Sequence, residues 1–210
     1  GKTLTDLNTG GTTGEYLTDR ITNETNSFID NHIATNSTQP FLAMVSHYGV
    51  HTPLEAKAND VSYFQNIANN DGYTGPEFGN DLTAKTKLHQ DNATYAAMIK
   101  SIDESLGNLR ANLIARGIAD NTIIIVTSDN GGLSTTEIGG NRELPTSNRP
   151  LRAGKTWLYE GGIRLPLIIQ GPKYRTGVVE DKPVVGTYFF PTMLEMAGVP
   201  LLPNQHLDGE

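Results

Sequence analysis

Two hydrophobic periods run along this chain. From about Glu15 to His32 the apolar residues Leu17, Ile21, Phe28 and Ile29, with Ile33 just beyond, recur at roughly helical spacing and predict an amphipathic helix. Tyr95, Met98, Ile99, Ile102, Leu106, Leu109 and Leu113 form a longer stripe of the same period, and Gly117 is placed to cap it. A last helix is predicted to begin near Tyr188, with Pro191 in its first turn and Gly198 at its end. Between these segments lie short, dense apolar runs at Phe41–His47, Thr122–Thr127 and Leu165–Gln170. Runs of that length, bounded by turn residues, read as buried strands. Strands alternating with amphipathic helices predict an α/β fold with a mainly parallel sheet flanked by helices. The loops after the strands then gather on one edge of the sheet.

Polar stretches fill the rest. Gly1–Gly14 is rich in Gly and Thr and reads as a loop. Glu55–Gln90 is rich in Asn, Asp and Gly with scattered aromatics, and is long for a connection without structure of its own. Leu133–Pro150 is a second polar loop, in which Pro145 and Pro150 exclude a regular helix.

Composition narrows the function classes. The chain has 210 residues, 37% hydrophobic and 19% charged, enough for one domain or a piece of a larger one. A net charge of -7 without a Lys/Arg cluster argues against nucleic acid as the main partner. No apolar run approaches the roughly 20 residues that cross a bilayer. Without Cys there is no disulfide, thiolate metal site or Cys nucleophile. The ends, Gly1-Lys2 and Asp208-Gly209-Glu210, read as those of an excised segment.

The chemistry concentrates in three places. The run Thr122–Thr127 ends in Ser128-Asp129-Asn130-Gly131-Gly132. Asp129 and Asn130 are hard oxygen donors at a strand end, where open α/β sheets place ligands, and they suit Ca²⁺ or Mg²⁺ rather than Zn²⁺. Taken alone, this stretch equally fits an ordinary Asp-Asn-Gly turn. His47 and His51 follow the first strand, and a histidine there can bind a metal, move a proton or donate to an anionic oxygen. Pro53 rigidifies the turn and favours His51 as the presented group. Lys155, in Gly154-Lys155-Thr156-Trp157, can set a compact positive charge against a tetrahedral oxyanion. Glu160 and Arg164 read as a structural pair shaping the Gly161-Gly162 turn into the last strand. No G-x-S-x-G, P-loop, H-E-x-x-H or dinucleotide fingerprint is present.

In order, these pieces resemble the sulfatase family of the alkaline phosphatase superfamily. The resemblance rests on Phe41 to Pro53 with its His-Thr-Pro, the long helix with Tyr95 and Asp103, Thr127 to Gly132, and Gly154-Lys155 running into Tyr159-Glu160-Gly161-Gly162-Ile163-Arg164-Leu165-Pro166. It covers the chain from about Tyr16 onward. It implies Ca²⁺-dependent hydrolysis of sulfate monoesters, with Ca²⁺ preferred to Mg²⁺. Asp129 and Asn130 would be metal ligands, and His51 and Lys155 would be catalytic residues that bind the sulfate group of a small molecule or polysaccharide. It also implies a periplasmic or extracellular location.

The family's formylglycine comes from a C/S-x-P-x-R motif, and this chain has no Cys and no Ser-x-Pro-x-Arg. In family order that motif belongs before the Glu15 helix, with an early Asp-Asp pair and a Lys-x-His segment. Residues 1–210 therefore read as a partial sulfatase catalytic domain, inactive alone and prone to self-association through a truncated sheet edge. Two alternatives stay open: a phosphodiesterase or phosphonate hydrolase of the same superfamily, and a non-catalytic sulfatase-like binding module.

Overall fold

A computed structural model describes residues 11–36, 38–172, 177–202, 204–205 and 208–209. Most of the loop expected at Gly1–Gly14 lies outside the described residues. Residues 1–174 and 175–210 form two units.

Helices carry the first unit. Helix α1 (Leu17–Asn36) buries Ile21 and Ile29 of its predicted stripe together with Thr18 and Thr22, while Leu17 and Phe28 are exposed. Helix α3 (Ala93–Ala115) begins at Asn92, whose side chain caps the Tyr95 N–H, an interaction worth about 1 kcal/mol. It ends where Gly117 adopts φ +69° and its N–H reaches the Ile114 carbonyl at 2.9 Å. The most buried face of α3 is not the expected apolar stripe. Ala93, Ala97, Ser101 and Ser105, four residues apart, are buried beside Met98 and Leu113 of the expected stripe, while Ile99 is exposed. Small side chains let neighbouring helices approach closely, and α1 and α2 (Ala58–Asn69) both pack on α3. At the α1 contact Thr22 Oγ1 lies 2.6 Å from Ser105 Oγ. A bidentate ion pair from Arg116 to Asp30 fastens the far end at 2.8 and 2.7 Å. The Arg116 guanidinium, helped by Asn112, holds the Asp30 carboxyl below the usual carboxylate range.

The Asn-rich stretch Glu55–Gln90 is not a structureless loop. It contains α2 and a hairpin of β1 (Phe78–Asp81) and β2 (Ala84–Lys87), joined by a tight turn with Leu82 at φ 56°. Asn and Asp masked α2 because its inward residues, Asp60, Val61, Phe64 and Ala68, are only half-buried and not all apolar.

The polar loop Leu133–Pro150 forms no regular helix, as expected, but it is not peripheral. Ser134, Thr135, Thr136, Leu144, Thr146 and Ser147 are buried. Lys87 N–H donates to the Ser134 carbonyl at 2.8 Å and Thr136 N–H to the Lys85 carbonyl at 2.9 Å, so the loop lies alongside β2. Each buried hydroxyl has a partner: Thr86 with Thr135 at 2.9 Å, Ser134 with the Ala153 carbonyl at 2.8 Å, and Thr146 with Gln90 at 2.9 Å. A satisfied polar interior of this kind costs no orphaned group.

The expected strands fare unequally. Strand β3 (Ile124–Thr127) pairs with β4 (Leu167–Gln170), with Ile124 opposite Gln170 and Thr127 opposite Leu167. The pairing is antiparallel, as is that of β1 with β2, so no parallel pair forms among the described residues. The α/β class stands, and the parallel sheet expected with it is absent from them. Strand β3 is half-buried and β4 mostly exposed, because no third strand flanks them among the described residues. Phe41–His47 joins no sheet, and Met44 is 89% exposed. An apolar run becomes a strand only when a neighbouring strand accepts its backbone hydrogen bonds.

The second unit holds a 3₁₀ turn at Gly186–Tyr188 and α5 (Phe189–Met196). Pro191 lies buried in its first turn, and Gly198 ends it at φ +67°, as the sequence predicts.

Candidate functional site

The strand end and the lysine loop meet. Gly131 N–H donates to the Gly162 carbonyl at 3.0 Å, and Lys155 N–H donates to the Gly132 carbonyl at 3.0 Å. Gly161 N–H reaches the Arg152 carbonyl at 2.8 Å. Four glycines make this interlock possible. A Cβ on Gly131 would fall inside the Gly161 carbonyl, and one on Gly161 inside the Ala153 carbonyl. Gly154 and Gly162 meet the Gly132 and Trp157 carbonyls in the same way. Below the strand end, α3 supplies Tyr95, whose hydroxyl would lie 3.2 Å from a Cβ on Gly132. Burial pushes the Tyr95 phenol above its ordinary value.

Asp129 and Asn130 stand at the end of β3. Asn130 Nδ2 donates to Asp129 Oδ1 at 3.2 Å, and Ser128 Oγ donates to the Asn130 carbonyl at 2.9 Å. With Nδ2 engaged, Asn130 Oδ1 and Asp129 Oδ2 have no hydrogen bond among the described residues. The donor set fits Ca²⁺ in kind but supplies only two side-chain ligands, where Ca²⁺ takes 6–8 oxygens. No cluster of three or more His, Cys, Asp or Glu able to hold a metal exists among the described residues.

Lys155 follows Gly154 in a loop with unusual backbone angles. Ala153 adopts φ 58° and Thr156 φ 78°. A β-branched residue with positive φ is strained, and such strain gathers at functional sites. No carboxylate pairs with the Lys155 ammonium among the described residues. Its neighbour Arg152 is committed elsewhere: it grips Asp81 with two hydrogen bonds of 2.7 Å and lies 3.8 Å over the Tyr159 ring. The hydrogen bonds from Arg152 hold the Asp81 carboxyl below its ordinary value. Arg164 and Glu160 do pair, at 3.2 Å, across the one-turn helix α4 (Glu160–Ile163), although both side chains are largely exposed.

The two histidines separate in role. His51 is exposed, and its Nδ1 lies 2.8 Å from the Thr52 carbonyl. A carbonyl can only accept, so Nδ1 carries the hydrogen, and Nε2 has no hydrogen bond among the described residues. No hydrogen bond joins His51 to the Asp129–Lys155 cluster among the described residues; its turn rests on α3, where a Cβ on Gly49 would lie 3.3 Å from Ile102. His47 instead packs on α3, with Nε2 3.2 Å from Ser105 Oγ, and burial lowers its pKa. A neutral, half-buried imidazole is a packing group, which leaves His51 as the presented one. Of the predicted residues, the structure joins Asp129, Asn130 and Lys155 through one backbone network and holds His51 separately on the shared helix. Asp103 is exposed on α3.

Sequence inspection missed Asn148. Its Nδ2 lies 2.8 Å from the Gly132 carbonyl, 3.0 Å from those of Ala153 and Gly161, and 3.1 Å from Ser134 Oγ. An asparagine between Ser147 and Arg149 in a polar loop carries no local signal of this.

The strand end thus offers a carboxylate and a carboxamide, tied through glycine backbones to the loop of a lysine that has no ion pair among the described residues. The sulfatase family model matches residues 2–199, and the chain belongs to that family. It is 30% identical over 94% of its length to a sulfatase of Formosa agariphila, of which it spans 33%. It is 31% identical over 92% of its length to rat steryl-sulfatase and 29% over 93% to mouse arylsulfatase J, spanning 28% of each. The chain thus spans about a third of the curated relatives it matches. Among solved structures, Ps i-CgsB in complex with k-i-k-neocarrahexaose superposes with a TM-score of 0.72 at 32% identity, over 96% of this chain and 39% of that one. This likeness establishes a partial α/β fold of the sulfatase type.

Proposed function

We propose that this chain is part of a sulfuric ester hydrolase and supplies two metal ligands, Asp129 and Asn130, and two sulfate contacts, His51 and Lys155. The observation that supports it most is the pair of 3.0 Å hydrogen bonds, Lys155 to Gly132 and Gly131 to Gly162, which joins the two densest motifs of a sulfatase-family chain. Ca²⁺, in preference to Mg²⁺, would supply positive charge against the sulfate oxygens. Asp129 Oδ2 and Asn130 Oδ1 would hold it, completed by ligands from elsewhere. As a sulfuryl group leaves an alcohol, negative charge spreads over its oxygens and the leaving group, as in phosphoryl transfer. The Lys155 ammonium meets the first of these charges. His51 is fixed by its Nδ1 bond, and Nε2–H of the imidazolium gives its proton to the departing alcohol oxygen.

The family's formylglycine has no counterpart here, since the 210 residues contain no Cys and no Ser-x-Pro-x-Arg. The chain alone accordingly has no turnover. For substrate, a sulfated polysaccharide is favoured over a small ester by the neighbour solved with k-i-k-neocarrahexaose. Arg142 and Arg152 are tied to Glu137 and Asp81, which leaves Arg149 as the loop arginine able to meet an anionic sugar. A periplasmic or extracellular location accompanies this assignment. Among the described residues no helix is long and apolar enough to cross a membrane.

The test compares the 210-residue chain with a full-length protein carrying it, on 4-nitrophenyl sulfate and bis(4-nitrophenyl) phosphate. Hydrolysis of the sulfate by the longer protein alone, abolished by chelation and lowered about 100-fold in kcat/KM by Lys155→Ala, is the expected result. Preference for the phosphodiester would instead identify a phosphodiesterase or phosphonate hydrolase. Turnover of neither substrate, with tight binding of a sulfated glycan, would identify a binding module.

A further inference from the structure

We propose that Asn148 is the positioning residue that holds the Lys155 loop in register with the Asp129–Asn130 strand end. This rests on the site assignment above, but its geometry stands independently. Three backbone carbonyls from three segments converge on one amide nitrogen: Gly132, just past the strand end, Ala153, two residues before Lys155, and Gly161 in the Gly-Gly turn. Carbonyl oxygens only accept hydrogen bonds, and three of them brought together repel one another unless a donor lies between them. Ser134 Oγ cannot replace that donor, because its single proton goes to the Ala153 carbonyl at 2.8 Å. The Asn148 amide is therefore the shared donor at the convergence, and its two hydrogens are divided among more acceptors than they can fully satisfy.

The carboxamide also explains two of the glycines. A Cβ on Gly132 would lie 2.9 Å from Asn148 Oδ1, and one on Gly154 would lie 2.7 Å from Asn148 Nδ2. The side chain occupies the space that residues 132 and 154 leave open. Removing it would leave the Gly132 carbonyl with the Lys155 N–H as its remaining donor. The Lys155 backbone would then keep one tie to the strand end instead of two routes to it. Asn148 is itself held from behind: Leu151 N–H donates to its carbonyl at 2.9 Å, and Thr146 and Ser147 beside it are buried. The clamp thus stands on a packed segment.

Asn148→Asp is the discriminating variant. It keeps size and shape but replaces the donor with an acceptor facing three carbonyls. Amide hydrogen exchange of the 210-residue chain, followed by NMR, reads the ties directly. We expect exchange at the Lys155 and Gly131 amides to quicken at least ~10-fold, with the α3 amides unchanged. In the full-length protein, kcat/KM on the aryl sulfate should fall about 100-fold, chiefly through kcat, as expected when a positioned group moves by about an ångström. If Asn148→Asp does not fold, Asn148→Ser, which keeps one donor on a shorter arm, should show the same pattern to a smaller extent. Unchanged exchange at Lys155 and Gly131 in a folded variant overturns the proposal, as does equal acceleration throughout α3. Quickened exchange confined to the two amides, in a protein whose wild type hydrolyses no sulfate, supports the clamp and overturns the sulfatase assignment instead.

Discussion

Ser134, Thr135, Thr136, Thr146 and Ser147 are almost wholly buried, whereas Leu42 and Met44 are 75% and 89% exposed. The polar loop behaves as a core, and the apolar run behaves as a surface. The difference lies in where each finds its partners. The loop meets β2, Gln90 and, through its own Asn148, the glycine turns, all within the described residues, and every buried hydroxyl is matched. The run at Phe41–His47 needs strands on its flanks, and none pairs with it among the described residues. Hydrophobicity alone did not decide burial; the availability of a neighbour did.

Gly131→Ala should break the contrast most sharply. The new Cβ would fall inside the Gly161 carbonyl, so the strand end and the turn must part. A loss of about 3 kcal/mol in urea unfolding is expected, at the upper end for overpacking. A smaller effect, confined to acid, should come from His47, the residue of the exposed run that does anchor to α3. Burial lowers its pKa below 6.5, so the unfolded chain takes up the proton more readily. Stability should therefore be fully present above about pH 6.5 and fall as pH drops through the folded value. His47→Gln should remove that part of the pH dependence in denaturation at pH 7.5 and 5.5. The smallest effect should come from Met44→Lys. It should change unfolding by less than about 0.5 kcal/mol, because the side chain is already in water. It should also shift sedimentation of the chain toward monomer, since exposed apolar edges favour self-association.

What the sequence disclosed follows the same division. Helices α1, α3 and α5 were legible because their signals are local: an apolar period in α1 and α3, Pro191 in the first turn of α5, and glycine stops after α3 and α5. Asp129, Asn130 and Lys155 stood out because a strand end and a glycine turn mark them, and the structure joins those two segments by backbone hydrogen bonds. Helix α2 was hidden by its Asn and Asp residues. The burial of Leu133–Pro150 was hidden because a satisfied hydroxyl looks like a solvated one in sequence. Asn148 was hidden because its three carbonyl partners belong to the backbone, which has no letter code. The run Phe41–His47 was legible as apolar, but pairing is a property of two segments, and no second segment pairs with it among the described residues.

The Asn148 convergence also bears on how the site can assemble. Its ties span 16, 5 and 13 residues along the chain, whereas the Arg116–Asp30 clasp of the helices spans 86. Closing short loops sacrifices little chain entropy, and structures rich in short-range contacts form fast. The strand end and the lysine loop can therefore come together as a local unit, before the helices beneath them have found one another.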